Sequence, residues 1–228
     1  MTSNGIGEFF KRLMTGIVLL ICFFGSYIHS PTLYACLLSV VIVLILLFEW
    51  HKLVAHSGIL HRVISLTYPI MPTAILIWLA YTYYASDYYL PLYPIIVAWS
   101  SDTGGYLVGK ILGYHKICPT VSPGKSWEGL MGSFAAVVIA HFWLMPRINL
   151  ANSLGLANSI VAVIFLSTVM TLVAFCGGFL LSYLKRKNNL KDAGSLLPGH
   201  GGLMDRFDSV FFVAYATGAL ILFAHVYH

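Results

Sequence analysis

The sequence predicts an all-α, polytopic helical integral membrane protein with about seven transmembrane helices and a cytoplasmic N-terminus. Two observations carry that prediction. Charged residues make up only 9 % of the 228 residues and hydrophobic residues 59 %, with a mean hydropathy of +0.84. A soluble domain carries roughly 25 % charge, so there is too little charge to coat a globule and too much apolar side chain for one core. The apolar residues also fall in continuous runs, not in the alternation a membrane β-barrel requires. At about 20 residues per span, seven spans occupy roughly 140 residues. Connections are therefore short, and 1–228 reads as a single membrane domain.

The first run, Leu13–Ile28, follows Lys11 and Arg12 in the manner of a signal peptide. No small-x-small cleavage site follows it and more spans do, so it reads as an uncleaved first span. Thr32–Phe48, Val63–Tyr83, Tyr88–Ser101, Gly129–Met145, Ser159–Leu184 and Phe207–Tyr227 complete the set. The fourth is short, with Pro91 and Pro94 near its start. Its fourteen residues reach about 21 Å at about 1.5 Å each, against a hydrocarbon core of about 30 Å. It must still cross, because otherwise Lys110, Lys116 and Lys125 face the outside. Ser100, Ser101 and Asp102 then end below the cytoplasmic surface, where a carboxylate marks a functional site.

Orientation follows from the basic residues. Lys11, Arg12, Lys52, Arg62, Lys110, Lys116, Lys125, Lys185, Arg186, Lys187, Lys191 and Arg206 fall in alternating connections, and only Arg147 falls on the other side. That places the N-terminus in the cytoplasm and the C-terminus outside. The pI of about 9.0 therefore reflects membrane topology and not nucleic-acid binding. Tyr81, Tyr83, Tyr84, Tyr88 and Tyr89 form an aromatic belt at the outer interface. Cys22, Cys36, Cys118 and Cys176 form no CxxC pair, which argues against a zinc site or disulfide framework. Spans within 1–98 read as a lipid-side scaffold, and 99–228 as a catalytic half with cytoplasmic loops 102–128 and 185–206.

The first of those loops contains Gly104, Gly109 and Lys110 at Walker A spacing. Ile111 stands where a Ser or Thr would hold Mg²⁺, and a membrane helix precedes it in place of a strand, so a P-loop is rejected. A Gly-rich loop that brings backbone N–H groups near an anion remains, with Lys110 and Lys125 beside it. The second loop is the richest segment, from Ser182 to Ser209. Its cations Lys185, Arg186, Lys187, Lys191 and Arg206 are interleaved with Asp192, Asp205 and Asp208. Asp205 and Asp208 are spaced i, i+3 at the start of a span, which puts them on one side of a helical turn at its favourable N-terminal end. Carboxylates without a cysteine partner suit a hard cation such as Mg²⁺, and the cations suit phosphates, with Arg186 and Arg206 capable of bidentate contact. Pro198, Gly199, Gly201 and Gly202 suggest a tight turn around His200. Metal and phosphate together at the cytoplasmic face point to phosphoryl or nucleotidyl transfer to a lipid, a chemistry that rests on positioning and charge neutralisation.

From Ser182 to Asp208 the chain resembles the signature of the phosphatidate cytidylyltransferases of bacterial type. The family's S-x-x-K-R, K-D, H-G-G and D-R-x-D elements fall on Ser182/Lys185/Arg186, Lys191/Asp192, His200/Gly201/Gly202 and Asp205/Arg206/Asp208. Asp102-Thr103-Gly104-Gly105-Tyr106 and Ser122-Pro123-Gly124-Lys125-Ser126-Trp127-Glu128-Gly129 resemble two further family segments, with Gly105, Gly124 and Ser126 in place of the usual Ala, Lys and Thr. The resemblance implies transfer of CMP from CTP to phosphatidic acid, giving CDP-diacylglycerol and pyrophosphate, at the cytoplasmic face of the inner membrane. It implies Mg²⁺ as cofactor, with a second cation left open. Asp205, Asp208, Asp192, His200 and Lys191 are then expected to be catalytic. Lys185, Arg186, Arg206, Lys125 and Lys110 are expected to bind substrate phosphate, and Asp205, Asp208, Asp192 and Asp102 to bind metal. CTP, phosphatidic acid and the bilayer are the expected partners, with no nucleic acid and with a homodimer left open. A CTP-dependent lipid kinase and a small polytopic transporter are the alternative readings. The transporter is disfavoured because the charges sit in loops and not at the midplane.

Overall fold

The computed structural model describes residues 3–55, 58, 62, 65–153, 156, 159–197 and 201–227. The chain is mostly helical: α1 (Ser3–His29), α2 (Pro31–Ile45), α3 (Thr67–Tyr83), α4 (Tyr93–Leu112), α5 (Trp127–Leu144), the short α6 (Asn149–Ser153), α7 (Ile160–Lys187) and α8 (Met204–Tyr227). Between α4 and α5 lies an antiparallel hairpin, β1 (Lys116–Cys118) and β2 (Ser122–Ser126). The sequence reading did not foresee this hairpin within its 102–128 loop.

Among the described residues, four helices are long and apolar enough to cross a membrane: Pro31–Leu53, Trp127–Arg147, Ile160–Lys187 and Met204–Ala224. Gly16–His29 is a shorter apolar helix. The start of the expected third span, at Val63, lies outside the described residues. Large apolar side chains stand exposed along these helices, including Ile139 at 71 % and Val161 at 78 %. In water this would be costly; against lipid tails it is not, because tails and side chains are equally apolar.

Local chemistry sets the helix ends. Ser30 caps α2 by accepting from Leu33 N–H at 3.1 Å, and Pro31 opens the helix where its missing N–H costs nothing. Past Ile45 the helix widens into a π-turn, Leu46–Trp50, and runs on to Leu53. Ser126 caps α5 through Gly129 N–H at 3.1 Å, and Ser159 caps α7 through Ala162 N–H at 3.3 Å.

The structure corrects the reading of α4. Residues 88–92 are a turn; Pro94 sits in the first helical turn; and the helix runs straight through Asp102 and the glycines to Leu112. The expected Gly-rich anion loop is therefore helix, its amides spent in the helical ladder. The glycines serve close packing against α5 instead. An added Cβ at Gly105 would lie 2.5 Å from Ser133 Oγ, and one at Gly132 would lie 2.5 Å from Val108 Cβ. Small residues that let two backbones touch are how membrane helices associate without a hydrophobic drive between them.

A buried polar relay ties α4, α5 and α7 together further along. Ser167 Oγ donates to Val163 carbonyl at 2.7 Å, so it accepts from His141 Nδ1 at 2.7 Å. The other ring nitrogen is left to accept from Tyr93 hydroxyl at 3.0 Å. At the same end as Arg147, Tyr27 donates to Tyr88 carbonyl at 2.6 Å, and its ring packs on Tyr34, Tyr84 and Tyr88. The opposite end gathers the last turn of α2, the hairpin, the C-terminus of α7 and the N-terminus of α8.

Candidate active site

The loop from α7 into α8 is held by a carboxylate. Lys185 Nζ lies 2.6 Å from Asp205 Oδ1, both side chains largely buried. Asp205 Oδ2 accepts Ala193 N–H at 2.9 Å and Gly202 N–H at 3.1 Å. Gly201, with φ of +80°, makes the left-handed turn that brings Gly202 round, and pairs with Leu197. Asp205 thus has both oxygens engaged with protein donors. In this arrangement it fastens the loop.

One turn further along α8, Asp208 and Ser209 face α4. Ser209 Oγ donates to Asp102 Oδ1 at 3.0 Å and also lies 3.4 Å from Asp208 Oδ1. Asp208 Oδ1 accepts Ser209 N–H at 2.7 Å. Two carboxylates from helices distant in sequence therefore share one hydroxyl. Ionised together, two carboxylates this close repel each other. The site needs a cation, and Lys125 supplies one.

Lys125 enters from β2. Its Nζ donates to Phe175 carbonyl at 2.9 Å and sits 4.3 Å from the Phe175 ring centroid. Gly178 makes room for it: an added Cβ there would lie 2.9 Å from Lys125 Nζ and 3.4 Å from Asp208 Oδ2. A Cβ at Gly177 would meet Asp208 carbonyl at 2.5 Å, so the Gly177-Gly178 pair lets α8 and the lysine approach α7 together. Burial pushes the Lys125 ammonium down from the ordinary lysine range, and the charges of Asp208 and Asp102 push it back up.

The other expected residues lie around this core. Arg186 donates to Val121 carbonyl at 3.4 Å and Leu190 carbonyl at 3.2 Å, joining the hairpin to the second loop. Asp192 and Lys191 are exposed, and the Asp192 carboxyl carbon lies 3.6 Å from where a Gly201 Cβ would be. Arg206 is exposed at the start of α8. Lys110 rests on Tyr106, its Nζ 3.3 Å from the hydroxyl, near the end of α4. His200, Pro198 and Gly199 lie outside the described residues. No group of three or more His, Cys, Asp or Glu that could hold a metal forms among the described residues. Of the four expected metal carboxylates, Asp102 and Asp208 are the two that share a hydroxyl.

Three contributors escaped the sequence reading. Ser209 adjoins Asp208 and was passed over as a plain polar residue. The Gly177-Gly178 pair lies within the apolar run Ser159–Leu184. Glu49 stands just past the predicted second run, but the helix that carries the run extends to Leu53, which makes it an ionisable residue in a span and a functional candidate by default. It is fully buried and accepts from Leu203 and Met204 N–H at the start of α8.

A helical bundle with apolar spans, paired carboxylates, a half-buried lysine and further cations at one end defines a membrane protein whose site gathers charges of both signs. The chain belongs to the cytidylyltransferase family, whose profile matches residues 55–224. It is 33 % identical over 207 residues to a phosphatidate cytidylyltransferase of Rickettsia bellii, covering 90 % of this chain and 87 % of that one. It is 34 % identical over 207 residues to the Rickettsia typhi protein of the same name, covering 90 % and 88 %. A Haemophilus influenzae phosphatidate cytidylyltransferase is 36 % identical over 139 residues, 61 % of this chain and 46 % of that one.

Proposed function

We propose that this protein is a phosphatidate cytidylyltransferase: it transfers CMP from CTP to phosphatidic acid, giving CDP-diacylglycerol and pyrophosphate. The observation that carries the reading is the Asp102–Ser209–Asp208 contact with Lys125 beside it, inside the stretch that matches the family. The lipid phosphate is ionised at neutral pH and attacks the α-phosphorus without a strong base. Its obstacle is repulsion between two polyanions, so charge placement supplies most of the catalysis. Lys125 is half-buried beside the carboxylates, and Lys191 and Arg206 are exposed nearby in sequence to meet phosphates.

The donor set suits Mg²⁺. Asp102 and Asp208 offer hard oxygen atoms close to one another, with no soft ligand among them. These two would hold the ion, which when bound supplies charge neutralisation at the phosphates. Asp205, already bound by Lys185 and two amides, would keep the loop shaped around it.

The positive-inside count supports seven spans with the cytoplasmic face at the Lys185 end, in the bacterial inner membrane. CTP would then meet the site from the cytoplasm and phosphatidic acid from the bilayer. The test uses purified protein, phosphatidic acid and Mg²⁺. Label from α-labelled CTP is expected in the organic phase, while label from γ-labelled CTP stays in aqueous pyrophosphate. Organic-phase γ-label with a lipid alcohol as acceptor would make the protein a lipid kinase.

A further inference from the structure

We infer that Glu49 is a positioning residue for the transfer reaction, acting through the first turn of α8. The inference deepens the cytidylyltransferase reading and rests on it. Glu49 lies outside the stretch that matches the family, in the π-turn Leu46–Trp50 at the end of α2. Single π-turns inside helices recur at functional sites.

Its carboxylate is 0 % exposed. Such a group survives burial only when its lone pairs are filled. Oε1 accepts Leu203 N–H at 2.8 Å and Oε2 accepts Met204 N–H at 2.7 Å. These amides open α8, where N–H groups lack helical partners and negative charge is favoured. The partner lies 154 positions away in the chain, so the tether is tertiary and not a local turn. Asp205 follows Met204 directly, and Asp208 comes one turn later.

The loop closes on the same carboxylate from the other side. An added Cβ would lie 2.6 Å from Glu49 Oε1 at Gly194, and 3.0 Å from Glu49 Oε2 at Gly202. Glu49 and Asp205 together take the amides of Leu203, Met204, Ala193 and Gly202. Asp205 belongs to α8 itself. Glu49 is an anchor outside it that, with Lys185 of α7 on Asp205, sets where along the bundle the Asp208 turn stands against Asp102. Asn188 adds a parallel tie, its side chain donating to Leu53 carbonyl at 2.6 Å.

The test uses the full chain in lipid–detergent micelles. Glu49→Gln keeps the volume and one acceptor but turns an NH₂ group toward one of the two amides. The expected result is a kcat roughly 10- to 100-fold lower, the scale for residues that orient a site from behind it, with KM for CTP changed by less than about threefold. Amide exchange should speed up in a peptide covering 193–206 and stay unchanged in α3 and α5. Gly194→Ala presses on the same carboxylate from the loop side and serves if the Gln variant does not accumulate. It should give the same kcat split, and the double variant should be less than additive. Normal kcat in Glu49→Gln, or a lower kcat without faster exchange at 193–206, overturns the positioning role. A wild-type protein that moves no CMP overturns the reaction instead, and the role with it.

Discussion

Ser209 on α8 donates its hydroxyl to Asp102 on α4 at 3.0 Å, across 107 positions of chain. This bond is the direct link between the two carboxylates of the site. Hydrogen bonds to a charged group contribute about 1.5–3 kcal/mol, which corresponds to roughly 10- to 100-fold in rate if the bond holds the reactive geometry. Ser209→Ala is expected to lower CMP-transfer kcat by about tenfold or more. Its melting temperature should fall by roughly 3–12 °C. A fall in stability with unchanged kcat per folded molecule would make the bond purely architectural.

Asp205 and Asp208 separate by readout. Asp102→Asn and Asp208→Asn are expected to lose at least about 100-fold in turnover while remaining folded. EDTA should abolish wild-type turnover and Mg²⁺ restore it. Asp205→Asn breaks a largely buried pair with Lys185, a change of about 3 kcal/mol, and should lower the melting temperature by roughly 6–10 °C. Calorimetry beside turnover distinguishes the two classes. An Asp205→Asn protein of normal stability and no activity would return Asp205 to the metal.

Gly178 is predicted to act through Lys125. The methyl of Gly178→Ala would lie 2.9 Å from the lysine ammonium, closer than real Cβ contacts come. Turnover in Gly178→Ala should fall as far as in Lys125→Met, and the double variant should match either single one. Independent, multiplying losses would show that the glycine matters only for helix packing.

Topology has its own handle in Cys118, a free and partly exposed cysteine on β1. A membrane-impermeant maleimide should miss it in intact spheroplasts and label it in inverted vesicles. Labelling from the outside would put the Lys185 end on the wrong face for CTP.

The sequence made the membrane class, the long helices and the chemistry-bearing segments legible, because hydropathy and charge act over many residues at once. It misplaced α4 because glycine is unfavourable in an isolated helix. Only contact with Gly129, Gly132 and Ser133 of α5 offsets that cost, and contact is tertiary information. It grouped Asp205 with Asp208 because i, i+3 spacing puts both on one side of a turn. Spacing does not reveal that Lys185, Ala193 and Gly202 already occupy the first of them. Asp192 was grouped by proximity in the chain, yet it stands exposed beside Gly201. The hairpin was invisible because its strands are three and five residues long and contain no alternating run.

The glycine contact between α4 and α5 makes those two helices a single stave of the bundle. Asp102 rides on that stave directly, and Lys125 rides on it through Ser126, which caps α5. Asp208 rides on the neighbouring stave, α8. The charges of the site therefore face each other across a joint, and their spacing is a mechanical property of that joint. A bulky side chain at Gly132, which belongs to no charged cluster, would meet Val108 and the Gly104 carbonyl, part α4 from α5, and carry Asp102 out of register with Asp208 as it did so.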